Sequence, residues 1–325
     1  MSTTMTSSDT AAYHEMLRTL SEGSVHTNFE AFVDIAWDDP AYAVVPDDER
    51  WILPKEFPIG RHSWYQSLPR ERQIEIGMAY QAQICKVGLQ FESVLIRGVM
   101  EYVFTLDNQD PEYRYLMHEV TEETHHTQMF QETVNRTGAD VKGARRFLRA
   151  MQPVVPVFGR LLPELFFTGV LAGEEPIDHV QKAVLRGGSD IHPMMQRVMQ
   201  IHVAEEARHI SFAHEYLRRT VPSLSRGRRA ALSITFPIVM RVLGDAIMKP
   251  TPEFCARYDI PKDVVDELYW DSEDGAKMLR DLFADVRTLA EEAGLMNKVS
   301  RRLWKALKID GRPARYRSEP APAAA

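Results

Sequence analysis

Apolar residues recur at helical spacing through most of the chain, and the strict alternation of a half-buried strand is nearly absent. The pattern predicts a long helix over about residues 69–105, opened by Pro69, and a second over 110–138, opened by Asp110-Pro111 and closed by Gly138. A third is expected over about 154–186, broken by Gly187-Gly188, and a fourth over 190–219, stopped by Pro222. Further helices follow at 226–248, 273–293 and 298–308. At 1.5 Å per residue the main segments span about 40–55 Å each, the scale of a helical bundle. The expected fold class is therefore all-α, in a single domain 1–325 with core helices over about 69–250 and C-terminal helices over 261–308. Prolines and Asp-rich turns between 37 and 69 mark an irregular lead-in. Residues 1–10, rich in Ser and Thr, and 311–325, with Pro313, Pro320, Pro322 and a terminal Ala run, are expected to be disordered.

Composition narrows the function classes. The 325 residues are 44% hydrophobic and 26% charged, ordinary for a globular chain, and the net charge of −7 provides no global basic field for nucleic acid. With only Cys85 and Cys255, a disulfide framework and a thiolate-held iron–sulfur cluster are excluded. The polar start has no apolar signal core, and the nearest approach to a membrane span, 234–248, is interrupted by Arg241 and Asp245 and reads as a buried helix. A cytoplasmic protein without a membrane partner is the expectation.

The chemistry lies in a repeat. Val120-Thr121-Glu122-Glu123-Thr124-His125-His126 on the second helix and Val203-Ala204-Glu205-Glu206-Ala207-Arg208-His209 on the fourth both contain V-x-E-E-x-x-H. Glu and His three residues apart share one helix face, so both reach one cation. One such pair is common by chance; two on separate long helices are not. Upstream, Glu92 precedes Glu123 by 31 residues and Glu175 precedes Glu206 by 31. One Glu from each of two helices plus Glu-x-x-His from each of the other two is the donor set of di-iron and di-manganese carboxylate bundles. Glu92 sits in an apolar stripe with Cys85, Leu89, Leu95, Ile96 and Val99, where a lone carboxylate is costly unless paired or metal-bound, and Gly88 leaves room beside it.

Four carboxylates, Glu92, Glu123, Glu175 and Glu206, carry −4 and match two divalent ions. Oxygen and imidazole donors without thiolate suit Fe or Mn, and O2 chemistry suits Fe. His202 lies four residues before Glu206 on the same face and is a seventh donor, whereas the first repeat has Glu119 at that place. Glu122 and Glu205 are either acceptors for the outer nitrogens of the ligand histidines or solvent-facing ion-pair partners. His125 rivals His126, and Glu174 is an alternative to Glu175. Pro176 either kinks the third helix or opens a new one.

These pieces resemble the AurF-like family of di-iron N-oxygenases. The likeness is carried by F-E-S-V-L around Glu92, E-E-T-H-H-T-Q-M-F around Glu123 and His126, G-E-E around Glu175 and H-V-A-E-E-A-R-H from His202 to His209. The last motif, with its added histidine, separates this family from acyl-carrier desaturases and bacterial multicomponent monooxygenases. The likeness spans about residues 45–295. It implies a ferritin-like fold, often homodimeric, with Glu92, Glu123, His126, Glu175, His202, Glu206 and His209 as metal ligands. It also implies an O2-dependent di-iron centre that oxidises an amine, typically an arylamine, nitrogen to hydroxylamine, nitroso or nitro. A family Arg that holds a substrate carboxylate would correspond to Arg280 or Arg287. The sequence has no flavin or dinucleotide fingerprint, so electrons are expected from a separate reductase or ferredoxin-type donor. The alternative reading keeps the centre and makes it a hydroxylase or desaturase of C–H bonds in an acyl or small-metabolite substrate. Ferritin-like iron storage is disfavoured by the helices that follow the four-helix core.

Overall fold

Proline at the first helical position and glycine just past the last one punctuate the chain where its long helices begin and end. Asp110 accepts the amide of Glu112 and Pro111 opens the next helix; Gly138, at φ 63°, closes it. Pro163 opens another that Gly188, also at φ 63°, ends, and Pro193 opens the one after. The computed structural model describes residues 7–312 apart from 189. Its principal helices are α1 (Ser7–His26), α2 (Arg70–Val103), α3 (Pro111–Thr137), α4 (Pro163–Gly187), α5 (Pro193–Thr220), α6 (Arg226–Met248), α7 (Glu273–Leu282), α8 (Ala284–Glu292) and α9 (Lys298–Ala306). Single-turn helices and 3-10 turns fill the connections, and there is no strand among the described residues.

Short links, 104–110 between α2 and α3 and 188–192 between α4 and α5, force antiparallel pairs that pack along their lengths. The pairs face each other through α3 against α5 and α2 against α4, which is the four-helix core. Helix α1 lies across α3 and α5, and α6 lies along α4. By length and composition α6 would pass for a membrane-crossing helix, but it packs on α4 and carries the Arg241–Asp245 ion pair.

Several boundaries differ from the sequence expectation. Residues 7–10, expected to be disordered, begin α1; residues 1–6 and 313–325 lie outside the described residues. The helix expected over 154–186 is broken at Leu162 (φ −143°, ψ 63°), because the residue before Pro163 is driven out of the helical region. The helix expected over 273–293 divides at Phe283 (φ −106°, ψ 20°), whose fully buried ring turns into the core. Helix α4 continues through Pro176, so no new helix starts there.

One close approach sets the separation of α2 from the 157–161 turn. A Cβ added at Gly159 would stand 2.0 Å from the carbonyl oxygen of Gly98, and backbone cannot yield as a side chain does. Gly159→Ala is expected to destabilise the protein by about 1–3 kcal/mol, read as a lowered midpoint in denaturant. Gly227→Ala, where an added Cβ meets nothing within 4 Å, is the neutral control.

Candidate metal centre

The two repeats bring their chemistry together because α3 and α5 face each other at mid-length. Glu123, His126, Glu206 and His209 are all fully buried, and Glu92 from α2 and His202 from α5 are within 2% of it. Oε1 of Glu206 lies 3.5 Å from Nδ1 of His126, 3.4 Å from Nε2 of His202 and 3.4 Å from Nδ1 of His209. Oε1 of Glu92 is 3.5 Å from His202 Nε2 and 3.9 Å from His126 Nδ1. Glu123 completes the other side, with Oε1 3.0 Å from His209 Nδ1 and Oε2 3.3 Å from His126 Nδ1.

Helix α4 supplies Glu174, not Glu175. Glu174 joins His202 and Glu206 in a group whose donor atoms all lie within 4.8 Å of one another. Glu175 instead pairs with the buried His214 of α5. The correction has a geometric cause. Adjacent helical residues point about 100° apart, so only one of the two faces the centre. Glu174 shares its face with Ile177 and Gln181, which border the same cavity. The equal 31-residue offsets presuppose equal links, yet 104–110 and 188–192 differ by two residues. The glutamate of α4 that the structure groups with Glu206, Glu174, precedes it by 32 residues.

Each Glu-Glu pair divides its labour across the core. The second glutamate faces the cluster and the first reaches the opposite helix. Nε2 of His126 donates to Glu205 Oε2 at 2.7 Å, and Nε2 of His209 donates to Glu122 Oε2 at 2.8 Å. Both rings thereby turn Nδ1 inward. The acceptors are themselves held: Arg208 reaches Glu122 at 2.9 Å, and the Phe29 amide reaches Glu205 at 3.1 Å. Of the two readings left open for these glutamates, the buried acceptor is the one observed. Truncating either, Glu122→Ala or Glu205→Ala, is expected to weaken metal binding about 10–100-fold with the fold intact, measured by competition with a chromogenic chelator. His125 faces away, its Nδ1 receiving the Ala31 amide at 3.5 Å. The segment 27–37 after α1, which carries no motif in the sequence, therefore braces the site.

The donor atoms fit cations. Both oxygens of Glu92 and Glu206, Oε1 of Glu123 and of Glu174, and Nδ1 of His209 are buried without a hydrogen-bond partner. So many orphaned acceptors facing one point are costly unless positive charge is shared among them. The protonation tendencies say the same. Burial, then Glu123, pushes the Glu92 carboxyl well up; burial, then Glu206, does so for Glu174. Burial also opposes ionisation of Glu206, but the His202 and His209 rings outweigh it and hold Glu206 well below the carboxylate range. Burial pushes His202 down to about 4, against the opposing pull of Glu206. Glu119, the counterpart of His202 in the first repeat, is buried beside Tyr115 with both oxygens unpartnered, and burial pushes it up to about 8. Its place four residues before Glu123 was the only sequence signal for it.

A cavity of about 40 Å³ adjoins the cluster, bordered by Glu92, Glu174 and His202 and otherwise almost wholly apolar. The glycines here accommodate rings: a Cβ at Gly88 would stand 2.8 Å from Phe130, and one at Gly173 would stand 1.9 Å from Phe91. The room that Gly88 was expected to leave beside Glu92 is thus taken by Phe130. Neither candidate substrate arginine borders this cavity. Arg287 is buried and donates to the carbonyls of Ile309 (3.0 Å) and Arg312 (3.1 Å), fastening the segment after α9. Arg280, on α7, borders neither this cavity nor the larger one beside it. Sequence position alone could not distinguish an arginine that caps backbone from one that meets a ligand.

Known proteins match the chain over most of its length. The family model described as p-aminobenzoate N-oxygenase AurF matches residues 10–294, which contain every member of the cluster. The chain is 58% identical over 312 residues to the uncharacterized protein Rv0885 of Mycobacterium tuberculosis, covering 96% of this chain and 92% of that one. The uncharacterized protein Mb0909 of Mycobacterium bovis is similar to the same extent, 58% over 312 residues. An all-α chain whose paired Glu-Glu-x-x-His helices converge with a histidine one turn before the second pair, matched over this length, belongs to the p-aminobenzoate N-oxygenase AurF family.

Proposed function

We propose that the protein is an O2-dependent di-iron oxygenase that oxidises the nitrogen of an apolar amine. The observation that carries this reading is the set of buried, unpartnered carboxylate and imidazole atoms converging from four helices. Glu92, Glu123, His126, Glu174, His202, Glu206 and His209 would hold two ions; iron is the expected metal, and manganese suits the same donors. The −4 charge of the four glutamates is matched by two divalent ions, which makes the loaded centre nearly neutral and compatible with burial. Held by these residues, two ions would supply redox chemistry and charge stabilisation for O2 reduction. The overall step is RNH2 + O2 + 2 e⁻ + 2 H⁺ giving RNHOH + H2O, with electrons from a separate reductase or ferredoxin-type donor. Glu122 and Glu205 fix the tautomers of His209 and His126, so their inner nitrogens remain free to ligate. The apolar wall of Phe91, Phe130 and Val198 keeps water from the reacting atoms.

Among the described residues no Lys or Arg borders the cavity beside the cluster, so a carboxylated substrate would meet no counter-charge there. A neutral amine is the fitting substrate. The same apolar lining favours a second reading, in which the centre hydroxylates or desaturates a C–H bond of an acyl or alkyl group. Iron loading, chemical reduction and exposure to O2 with neutral arylamines tests both. N-oxidised products by mass spectrometry support the first reading. Carbon-hydroxylated or unsaturated products support the second, and a protein that takes up neither iron nor manganese overturns both.

A further inference from the structure

Next to the cavity at the cluster lies a second, of about 330 Å³, enclosed between α2, α4, α6 and the turns at 144–158. Three side chains, Val87, Phe91 and Ile247, border both cavities and so stand between them. Phe91 lies flat against Gly173, the position where an added Cβ would stand 1.9 Å from its ring. The smaller cavity holds only a few heavy atoms, since one water-sized group needs about 10–15 Å³ on this measure. An organic amine whose nitrogen reaches Glu92 and Glu174 must therefore extend past Phe91. The larger volume is in the range of pockets that bind whole small molecules.

Its lining is suited to hydrocarbon. The polar residues on it are spoken for: Gln90 receives the Ala144 amide at 2.8 Å and donates to Lys142 at 3.0 Å, and Gln152 donates to the Gln90 carbonyl at 3.4 Å. Helix α6 presents Ile238, Val239, Val242, Leu243, Ala246 and Ile247 to it, which accounts for an apolarity exceeding what packing on α4 requires. Ile238 and Val242 are also 39% and 49% exposed, so the cavity opens to the outside along α6.

Resting on the oxygenase reading of the cluster, we propose that this cavity is the tunnel for the uncharged apolar tail of the substrate. The nitrogen enters the small cavity and Phe91 marks the junction. The substrate class is then a long, neutral amine such as an alkyl-substituted arylamine.

Gly169 gives a clean plug. It lines the tunnel, and an added Cβ there would meet only Leu243 Cδ1 at 3.9 Å. The test is displacement of N-phenyl-1-naphthylamine from the full-length protein as purified, under argon so that no turnover occurs, by 4-n-alkylanilines from methyl to octyl. Affinity is expected to rise about fourfold per added methylene until the tunnel is full. Gly169→Phe is expected to weaken the octyl member at least tenfold while circular dichroism and bound metal are unchanged. Ala246→Leu, a smaller plug on α6, provides the same comparison should the first variant fold poorly. Affinities flat along the series, or unaltered in a folded plugged variant, would overturn the tunnel. Length-dependent binding that disappears on plugging, without N-oxidation when O2 is admitted, sustains the tunnel and refutes the N-oxygenase reading. N-oxidation of aniline with a flat series refutes the tunnel alone.

Discussion

Glu206→Ala is expected to yield a folded protein that no longer retains its ions. Oε1 of Glu206 lies within 3.5 Å of all three inward-facing histidine nitrogens, so its removal unties both halves of the centre at once. Metal content by plasma emission spectrometry should fall from about two per chain to below one, since even partners outside the ligand set change affinity about 10–100-fold. Oxidation of any substrate should fall with it. The stability effect has an informative sign. In chelator-treated protein the variant should already be less stable than the wild type at neutral pH, because the rings that hold Glu206 ionised lose their buried counter-charge. In metal-supplemented buffer the deficit should widen, as ions at about 1,000 times their Kd stabilise the wild type by about 4 kcal/mol. A Glu206→Ala protein that still carries two ions would show that the centre is not where the geometry puts it.

The adjacent pair on α4 offers the second contrast. Glu174→Ala should lose metal while retaining its chelator-treated stability, because its carboxyl faces His202 and Glu206. Glu175→Ala should retain metal and lose stability, because it leaves the buried His214 without its partner. An unsatisfied buried group of this kind costs about 1–3 kcal/mol. Metal content and denaturant midpoints measured on both variants separate the two roles. Loss of metal in Glu175→Ala with Glu174→Ala fully loaded would restore the assignment suggested by the 31-residue spacing.

Much of the site was legible because helical periodicity is short-ranged and rigid. Glu123 and His126, or Glu206, His202 and His209, share a face whatever the rest of the fold does. The repeat fixed which helices converge, and the apolar stripe around Glu92 marked which way that helix turns. What remained hidden depends on non-local geometry. Glu174 and Glu175 are distinguished only by the rotation of α4, which the link at 188–192 sets. The role of Arg287 depends on where the chain after α9 returns. The bracing by Phe29 depends on α1 lying across α3 and α5, and no motif announces that contact. The tunnel has no sequence signature, because its lining residues are the same types that fill a core.

Under the two-ion reading, the crossed hydrogen bonds of the two tandem glutamates would tie the loading of one ion to that of the other. His126 stands on α3 but its ring is aimed by α5, and His209 stands on α5 but is aimed by α3. An ion that draws either ring inward pulls on the partner helix and so prepares the opposite pocket. Titration with iron should accordingly be cooperative, with singly occupied chains scarce, and cutting one of the two crossed bonds should make uptake stepwise.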